Sequence, residues 1–346
     1  MNKIQTDTNI QFEGEPNKNG PLDFLGYPPC FLKDVFREGL NGVRDTYREE
    51  TGIGLKSNIP PYCSNDPENI YSDIWKTSNI EDFPNTVASD GFDDLFRKKF
   101  IEKLVSKGYF KSVWNTALNE PFEKAGFRDP DGWYTVYAVI PFILFIDKNK
   151  LDGLPVPKRW SDLLEPDFRN KVIVCGVEGH PVDVPLLYLY KEHGEVGLRR
   201  LAANTRAIWH AAQIARTAGS SNPSGAAVYI QSLFFAQCCP RTDATSIVWP
   251  EDGAYTSPLY LLVKESRMKE MAVVTNYITG PELGHKCTQA GFLSLNPYVG
   301  NSLPENASFK WLGWDYIKSH DLVEMREHVK TIFISELEKT RKGGKQ

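Results

Sequence analysis

The chain has 346 residues, 41% of them hydrophobic, and a formal net charge of −4 at pH 7. This length is typical of two domains, or of one domain with a large second lobe, and the hydrophobic fraction excludes general disorder. The acidic balance supplies no basic field for a phosphate backbone, so we expect no nucleic acid partner.

The N-terminal segment, residues 1–20, is polar and lacks both the apolar stretch and the small-residue cleavage site of a signal peptide. We expect a flexible tail there. Elsewhere no apolar run reaches the roughly 20 residues that span a bilayer. Two locations follow: the cytoplasm if this N-terminus is native, and the periplasm or cell surface if an export signal has been removed.

Strands and helices alternate along the first part of the chain. Short apolar runs predict strands at 22–27, 54–60 and 85–88. Helical spacing of apolar residues predicts helices over 30–50 and 93–107. This alternation is typical of an α/β fold with a mainly parallel sheet that is covered on both faces.

Two extended runs, 134–146 and 246–263, are too long for isolated core strands. We predict that the chain crosses between two lobes along each of them. Lobe one then comprises 21–137 and 255–346, and lobe two comprises 138–254. A cleft between lobes favours a small-molecule site, especially beside the carboxyl ends of parallel strands.

Four segments of the chain resemble one known protein family. They are YTVYAVIPFILFIDKNKL, VPKRWSDLLEPDFRNKVIV, GAAVYIQSLFFAQ and VWPEDGAYTSPLYLLVK. The second is the most specific, because it contains the pattern that marks entry into the second lobe in that family: Pro157, Trp160, Asp162, Leu163, Pro166, Phe168 and Lys171. Over roughly 22–335 the chain resembles the solute-binding proteins of ABC-type importers, which have the type II periplasmic-binding-protein fold, and specifically their iron/thiamine-like branch.

This resemblance implies a two-lobed clamshell that captures a small solute in an interlobe cleft for ABC-type import. A ligand that contacts both lobes only in the closed form drives closure by its differential affinity for that form. The implied partners are the solute and an ABC permease. We expect a monomer with no cofactor, no metal and no catalytic activity.

The pair Phe234-Phe235 departs from the iron-binding members of the family, which have adjacent tyrosines at this place. Phenylalanine donates no ligand to ferric ion, so the sequence favours a neutral or organic solute packed against aromatic rings. If the pair ends a strand, only one of the two rings can point inward, and the other is free to face the cleft.

Candidate ligand-binding residues lie at strand ends, in turns and on the two crossings. They are Tyr27, Cys30, Ser89, Asp90, Tyr134, Tyr137, Glu178, His180, Asn222, Ser224, Ser232, Phe234, Phe235, Glu251 and Asp252. Loops at strand ends are where such sites form. Each candidate also has a plainer structural role, such as a helix cap for Ser89, a surface turn for Asn222 and core packing for the tyrosines.

An enzyme on the same bilobal fold is the main alternative. The sequence lacks the patterns GxGxxG, GxxxxGK[ST], HExxH and GxSxG. Cys30, His180 and the pair Cys238-Cys239 nevertheless leave open a transferase resembling porphobilinogen deaminase or a synthase of a thiamine precursor. A cytoplasmic ligand sensor that signals to a partner is a third alternative. None of the six cysteines forms a CxxC pair, so we expect neither a structural zinc site nor a disulfide framework.

Overall fold

The computed structural model describes residues 21–61, 64, 66, 68–177 and 179–343. The predicted tail at 1–20 and the candidate Glu178 lie outside the described residues. The described chain forms an α/β fold around one large mixed sheet. Within it, no helix combines the length and the apolar character that crossing a bilayer requires.

The sheet has twelve strands in the described part of the chain. They are β1 (Phe24–Gly26), β2 (Ser57–Asn58), β3 (Thr86–Asp90), β4 (Tyr134–Asp147), β5 (Val172–Val177), β6 (His180–Pro181), β7 (Thr205–Trp209), β8 (Val228–Ser232), β9 (Thr245–Val248), β10 (Ala254–Val263), β11 (Leu293–Ser294) and β12 (Phe309–Lys310). The main order is β2-β1-β3-β10-β4-β8-β5-β6, with β7 beside β5, β9 and β11 beside β4, and β12 beside β10.

Ten α-helices of the described chain pack around this sheet. They are α1 (Lys33–Thr51), α2 (Lys98–Lys103), α3 (Glu120–Ala125), α4 (Asp183–Asn204), α5 (Ala211–Thr217), α6 (Leu233–Gln237), α7 (Ala272–Thr279), α8 (Pro281–Gln289), α9 (Trp314–Ser319) and α10 (Leu322–Gly343). Short 3-10 turns precede α1, flank α2 and open the second lobe: Cys30–Leu32, Asp94–Phe96, Val105–Lys107 and Trp160–Leu164.

Strand β4 passes from one half of the sheet to the other. Its first part pairs antiparallel with β10, from Tyr134 opposite Leu262 to Phe142 opposite Tyr255. Its second part pairs with β8, starting where Phe142 lies opposite Ser232. Its 14 residues, at roughly 3.3 Å each, are long enough to serve both halves. The predicted outgoing crossing is therefore one strand that belongs to both halves of the sheet.

The predicted return run at 246–263 is divided into two strands. Gly253, with a φ of 101°, closes a turn by donating its N–H to the carbonyl of Pro250, and this turn separates β9 from β10. Strand β10 then pairs with β4 on one side and with β3 on the other. We call the side of the sheet with β1 and β3 lobe one, and the side with β5 and β8 lobe two.

The tryptophan of the second-lobe entry segment joins that segment to the return crossing. The Trp160 ring stacks on Tyr255 with centroids 4.0 Å apart, and Tyr255 stacks on Tyr188 of α4 at 4.7 Å. The Trp160 indole N–H donates to the carbonyl of Gly253 at 2.8 Å. The second-lobe entry segment therefore has a structural role, because its tryptophan holds lobe two against β10.

The predicted helix over 93–107 is broken into three short pieces. Arg97 adopts an extended backbone conformation between the turn Asp94–Phe96 and α2, so the helix cannot run through. The side chain of Asp93 accepts a hydrogen bond from the N–H of Leu95 and starts the first piece. The apolar spacing does place Phe96 and Phe100 in the core, but the extended backbone at Arg97 divides the segment.

The C-terminal helix α10 packs along α4 of lobe two. Arg326 of α10 donates to Asp183, the first residue of α4, at 2.5 Å, and to the carbonyl of Phe92 in lobe one at 2.7 Å. This arginine therefore binds groups of both lobes at once. The predicted lobe boundaries remain a prediction.

Candidate functional site

A cavity of about 280 Å³ lies where the two lobes meet, beside the point at which β4 changes partners. Its lining residues come from the ends of β3, β5 and β8, from the middle of β4 and from the first turns of α1 and α6. They are Tyr27, Pro28, Pro29, Cys30, Phe31, Lys33, Asp90, Ile140, Phe142, Cys175, Val182, Ala211, Ser232, Phe234, Phe235 and Phe292. The lining is mostly apolar and aromatic, as is usual for small-molecule sites.

Aromatic rings of the two lobes touch across this cavity. Phe31 of lobe one lies 4.3 Å from Phe234 and 5.2 Å from Phe235 of lobe two, measured between ring centroids. Phe234 also stacks with Phe292 at 6.4 Å. The Phe31 side chain nevertheless remains 52% exposed. A large ring held half in solvent at a cleft mouth is available to cover an apolar ligand.

The two adjacent phenylalanines both line the cavity, and the reason differs from the predicted one. Strand β8 ends at Ser232, and Phe234 and Phe235 lie in the first turn of α6. Strand alternation therefore does not apply to them. Neighbouring residues on a helix are about 100° apart, so both rings can be directed toward one cavity.

The chain enters α1 beside the cavity through Pro28 and Pro29. Pro29 occupies the cap position of the turn Cys30–Leu32 and offers no side-chain acceptor to the N–H groups there. Cys30 is exposed and lines the cavity, whereas Cys175 lines it from the buried end of β5. Burial raises the pKa of the Cys175 thiol to about 12, so this group stays neutral.

Two charged side chains of opposite sign line the cavity. Asp90 ends β3, and removal from water raises the pKa of its carboxyl to about 7; neighbouring Asp93 acts in the same direction, while Arg326 and Lys33 oppose the shift. The Lys33 ammonium donates to the carbonyl of Pro61 at 3.1 Å. Within the described chain, neither Lys33 nor Asp90 forms an ion pair.

A buried polar cluster lies behind Asp90. The Asp93 carboxylate accepts hydrogen bonds from the Ser89 hydroxyl, from the Tyr260 hydroxyl at 2.5 Å and from the N–H of Leu95 at 3.0 Å. Burial raises the pKa of Asp93, and the hydrogen bonds from Ser89 and Tyr260 counteract that rise. Ser89, a predicted ligand-binding residue, is therefore engaged inside the protein and does not line the cavity.

Tyr27 lines the cavity although it is only 4% exposed. Its hydroxyl accepts a hydrogen bond from the Asn69 amide at 2.9 Å, and burial raises its pKa. The two tyrosines predicted on the outgoing crossing lie in the core instead. Tyr134 stacks on Phe96 at 4.9 Å and donates to the carbonyl of Leu95 at 2.8 Å, and Tyr137 is 3% exposed beneath α7 and α8.

The remaining predicted residues lie outside the cavity. His180 is exposed on β6, opposite Val177. Asn222 and Ser224 form an exposed turn in which the Asn222 side chain accepts from the N–H of Ser224 at 2.9 Å. Glu251 pairs with Arg159 at 3.3 Å, and Asp252 pairs with Lys310 at 3.2 Å and accepts a hydrogen bond from the N–H of Trp160 at 3.4 Å, so both contact the second-lobe entry segment. Glu178 is not among the described residues.

Several cavity residues escaped the sequence reasoning, among them Phe31, Lys33, Phe142, Cys175 and Phe292. Phe31 and Lys33 lie one and three residues after Cys30. The predicted helix start that made Cys30 a candidate could therefore have indicated them as well. Phe142 and Cys175 lie on predicted strands. Their position at the cavity depends on which strands become neighbours, and no local pattern encodes that. Among the described residues, no group of three His, Cys, Asp or Glu side chains lies close enough together to hold a metal ion.

Several solved structures are similar to this chain over almost its whole length. An ABC transporter structure from Clostridium perfringens is 15% identical, with a TM-score of 0.58 over 93% of this chain and 99% of that one. A Trichodesmium protein in complex with iron and citrate is 13% identical, with a TM-score of 0.59 over the same shares. The spermidine/putrescine substrate-binding protein of Streptococcus pneumoniae is 13% identical, with a TM-score of 0.54 over 92% and 99%. These likenesses show the fold.

Fold and cavity together define a two-lobed ligand-binding protein of the periplasmic-binding-protein type. The chain belongs to the bacterial extracellular solute-binding protein family, which matches residues 81–320. No curated protein matches it. The predicted clamshell fold and the predicted role in binding a small solute are therefore confirmed at the level of the family.

Proposed function

We propose that this protein captures a small organic solute in the interlobe cavity and delivers it to an ABC permease outside the cytoplasm. The observation that carries the proposal is the aromatic contact across the cavity, from Phe31 of lobe one to Phe234 and Phe235 of lobe two. A ligand packed against these rings contacts both lobes at once. It therefore favours the closed form, which is the form an importer must distinguish.

Import is supported by the structural relatives, two of which are described as ABC transporter proteins. The ligands named for the relatives, iron with citrate and spermidine or putrescine, are very polar. The cavity of this chain is lined mostly by aromatic and aliphatic groups, so its ligand is an organic compound with a substantial apolar part. Capture and release need no covalent step, so the proposed role requires no catalysis; we expect the protein to act as a monomer.

We also propose a changed lobe boundary. Helix α10 packs along α4, so it moves with lobe two and not with lobe one, to which the sequence had assigned residues 255–346. Lobe two then comprises 138–254 together with α10. Arg326, which binds Asp183 and the carbonyl of Phe92, lies at the joint between the two bodies.

Native mass spectrometry of the freshly purified protein tests the function. We expect an added mass of one small organic molecule, which denaturation releases for identification and which rebinds in calorimetry. Phe234→Ala should weaken rebinding at least about tenfold, since it removes a ring from the cavity wall. Tyr298→Ala is the control, because Tyr298 is 79% exposed and does not line the cavity. Conversion of the bound compound into a product would contradict a pure binding role.

A further inference from the structure

Lys33 and Asp90 together indicate a ligand with two opposite charges. Building on the proposed function, we propose that the cavity binds a zwitterion: a small compound with an apolar body, an ammonium group that pairs with Asp90 and an anionic group that pairs with Lys33. Both side chains line the same cavity, and in the described chain neither is neutralised by an ion pair. Charged side chains that leave water without a partner are costly, so a ligand that supplies both partners is favoured.

The Lys33 end of the cavity is suited to an anion. The ammonium is held by the carbonyl of Pro61, a neutral acceptor, at 3.1 Å and keeps donors free for a second partner. Lys33 is also the first residue of the 19-residue helix α1, whose positive dipole end lies there. Pro29, before the turn that leads into α1, gives no side-chain cap. The helix end and the ammonium therefore act on a ligand anion in the same direction.

The Asp90 end is suited to a cation. The carboxyl lies at the end of β3, and in the ligand-free protein removal from water and the nearby Asp93 make its ionised form unfavourable. A ligand ammonium beside Asp90 would reverse this effect by supplying the missing opposite charge. Asp93 itself cannot take this role, because the Ser89 and Tyr260 hydroxyls already occupy its carboxylate.

Apart from these two charged side chains, the lining of the cavity is mostly apolar. Phe31, Phe142 and Phe234 belong to that lining, and the cavity volume of about 280 Å³ lies just below the roughly 300–1,000 Å³ that is usual for ligand pockets. A ligand with a single aromatic ring fits this space and the ring-lined walls. A compound with one charge would leave either Lys33 or Asp90 unpaired on closure, and an uncharged compound would leave both unpaired.

A matched series of probes tests the charge requirement on the full-length protein, from which bound solute has been removed by reversible denaturation. The probes are L-phenylalanine, para-aminomethylbenzoate, phenethylamine, hydrocinnamate and phenylethanol. Each probe has one aromatic ring. The first carries both charges close together and the second carries them at opposite ends of the molecule. The third carries only a positive charge, the fourth only a negative charge, and the fifth no charge. We expect calorimetry and thermal shift to show binding of at least one zwitterion, about tenfold or more tighter than that of the singly charged and neutral probes.

Two charge-removing variants assign the ends. Lys33→Met should weaken the zwitterion and hydrocinnamate about tenfold or more and should change phenethylamine binding far less. Asp90→Asn should weaken the zwitterion and phenethylamine and leave hydrocinnamate unchanged. Lys269→Met and Asp243→Asn are the controls, because both residues are exposed and lie outside the cavity. A cooperative thermal unfolding transition in each variant, at or above about the wild-type temperature, shows that it folds.

The zwitterion proposal is overturned if a singly charged or neutral probe binds as tightly as the zwitterions, or if the two variants weaken all probes equally. It is also overturned, with the proposed function intact, if no probe binds and the co-purified solute has one charge or none. It stands if that solute is itself a zwitterion whose affinity falls in both variants. Absence of any bound or added solute that responds to Phe234→Ala would instead overturn the proposed function.

Discussion

The interlobe cavity and a second pocket on lobe one treat charge in opposite ways. The second pocket, a groove of about 450 Å³, is larger and is lined by five charged residues: Lys111, Arg128, Asp129, Asp131 and Glu265. Each of these charges is paired by the fold. Lys111 binds Glu265 at 2.9 Å, Arg128 binds Glu123 at 2.9 Å, and Lys318 binds both Asp129 and Asp131.

Among the described residues, the smaller interlobe cavity is lined by two charged side chains, Lys33 and Asp90, and neither forms an ion pair within that part of the chain. The difference shows that pocket size and the number of charged residues are poor guides to a binding site here. The two pockets differ in whether other residues of the protein already pair with their charged side chains. In the groove these ion pairs stabilise the fold, and in the cavity the charged side chains remain available to a ligand.

The largest expected effect on stability comes from removing an ion pair beside the groove. In Lys318→Met the fully buried Asp129 side chain loses its cation, so we expect the free energy of unfolding to fall by about 2–4 kcal/mol. The Asp129 carboxylate also accepts hydrogen bonds from the N–H groups of Asp131, Trp133 and Tyr134, which hold it in place inside the protein. Urea unfolding measures the change, and ligand affinity should stay unaltered.

Lys111→Met is the matched control for that experiment. Its partner Glu265 is 54% exposed and Lys111 itself is 58% exposed, so the pair should contribute about 0.5 kcal/mol or less. Equal stability losses in the two variants would show that burial does not decide the role of these charges. Loss of solute binding in Lys318→Met at full stability would move the functional site into the groove.

Sequence reasoning located the crossings and only part of the cavity. The run from Tyr134 to Ile146 was predicted as a strand joining two lobes, because its length and its apolar and β-branched composition are local properties. Its tyrosines were expected at the cleft. They lie in the core, since both faces of this strand are covered, and whether a face is covered depends on helices that are distant in sequence, such as α7 and α8.

The cavity residues likewise divide into those that a local pattern indicated and those that come together only in the folded structure. Cys30, Asp90, Ser232 and the phenylalanine pair were found because each follows or ends a local element, and strand ends of this fold converge. Phe292 comes from the segment after α8 and meets Phe234 only in three dimensions. The difference between paired and unpaired charges is also non-local, because Asp129 finds Lys318 across 189 positions of the chain. A single sequence contains no pattern for such a meeting.

A smaller change in stability, of opposite sign to that of Lys318→Met, is expected when Asp90 in the cavity is replaced. The folded protein holds a proton on Asp90 up to a pKa of about 7, far above the ordinary 3.8, so it binds more protons than the unfolded chain between these values. Stability of the ligand-free protein therefore falls as pH rises from about 4 to 7. Asp90→Asn removes this loss, and we expect it to stabilise the protein by about 1–3 kcal/mol at pH 8 and by almost nothing at pH 4.

Urea unfolding at both pH values checks the Asp90 prediction, with Asp243→Asn as a control that should show no pH-dependent gain. Destabilisation by Asp90→Asn at pH 8 would mean that the carboxylate has a structural partner. The contrast with the groove would then disappear, because the charges of both pockets would serve the fold.

The smallest stability change is expected from Lys33→Met, which is the same substitution as in the groove but made in the cavity. Lys33 gives up only a hydrogen bond to the carbonyl of Pro61, and the neighbouring Asp90 can take up a proton when the ammonium is lost. The cost should therefore stay near 0.5 kcal/mol, about what a surface substitution causes. A loss above about 1.5 kcal/mol in urea unfolding would show that Lys33 is already committed to the fold. A small loss, beside the large one in Lys318→Met, would show that the ammonium paired with a buried carboxylate stabilises the fold, whereas the ammonium at the cavity does not.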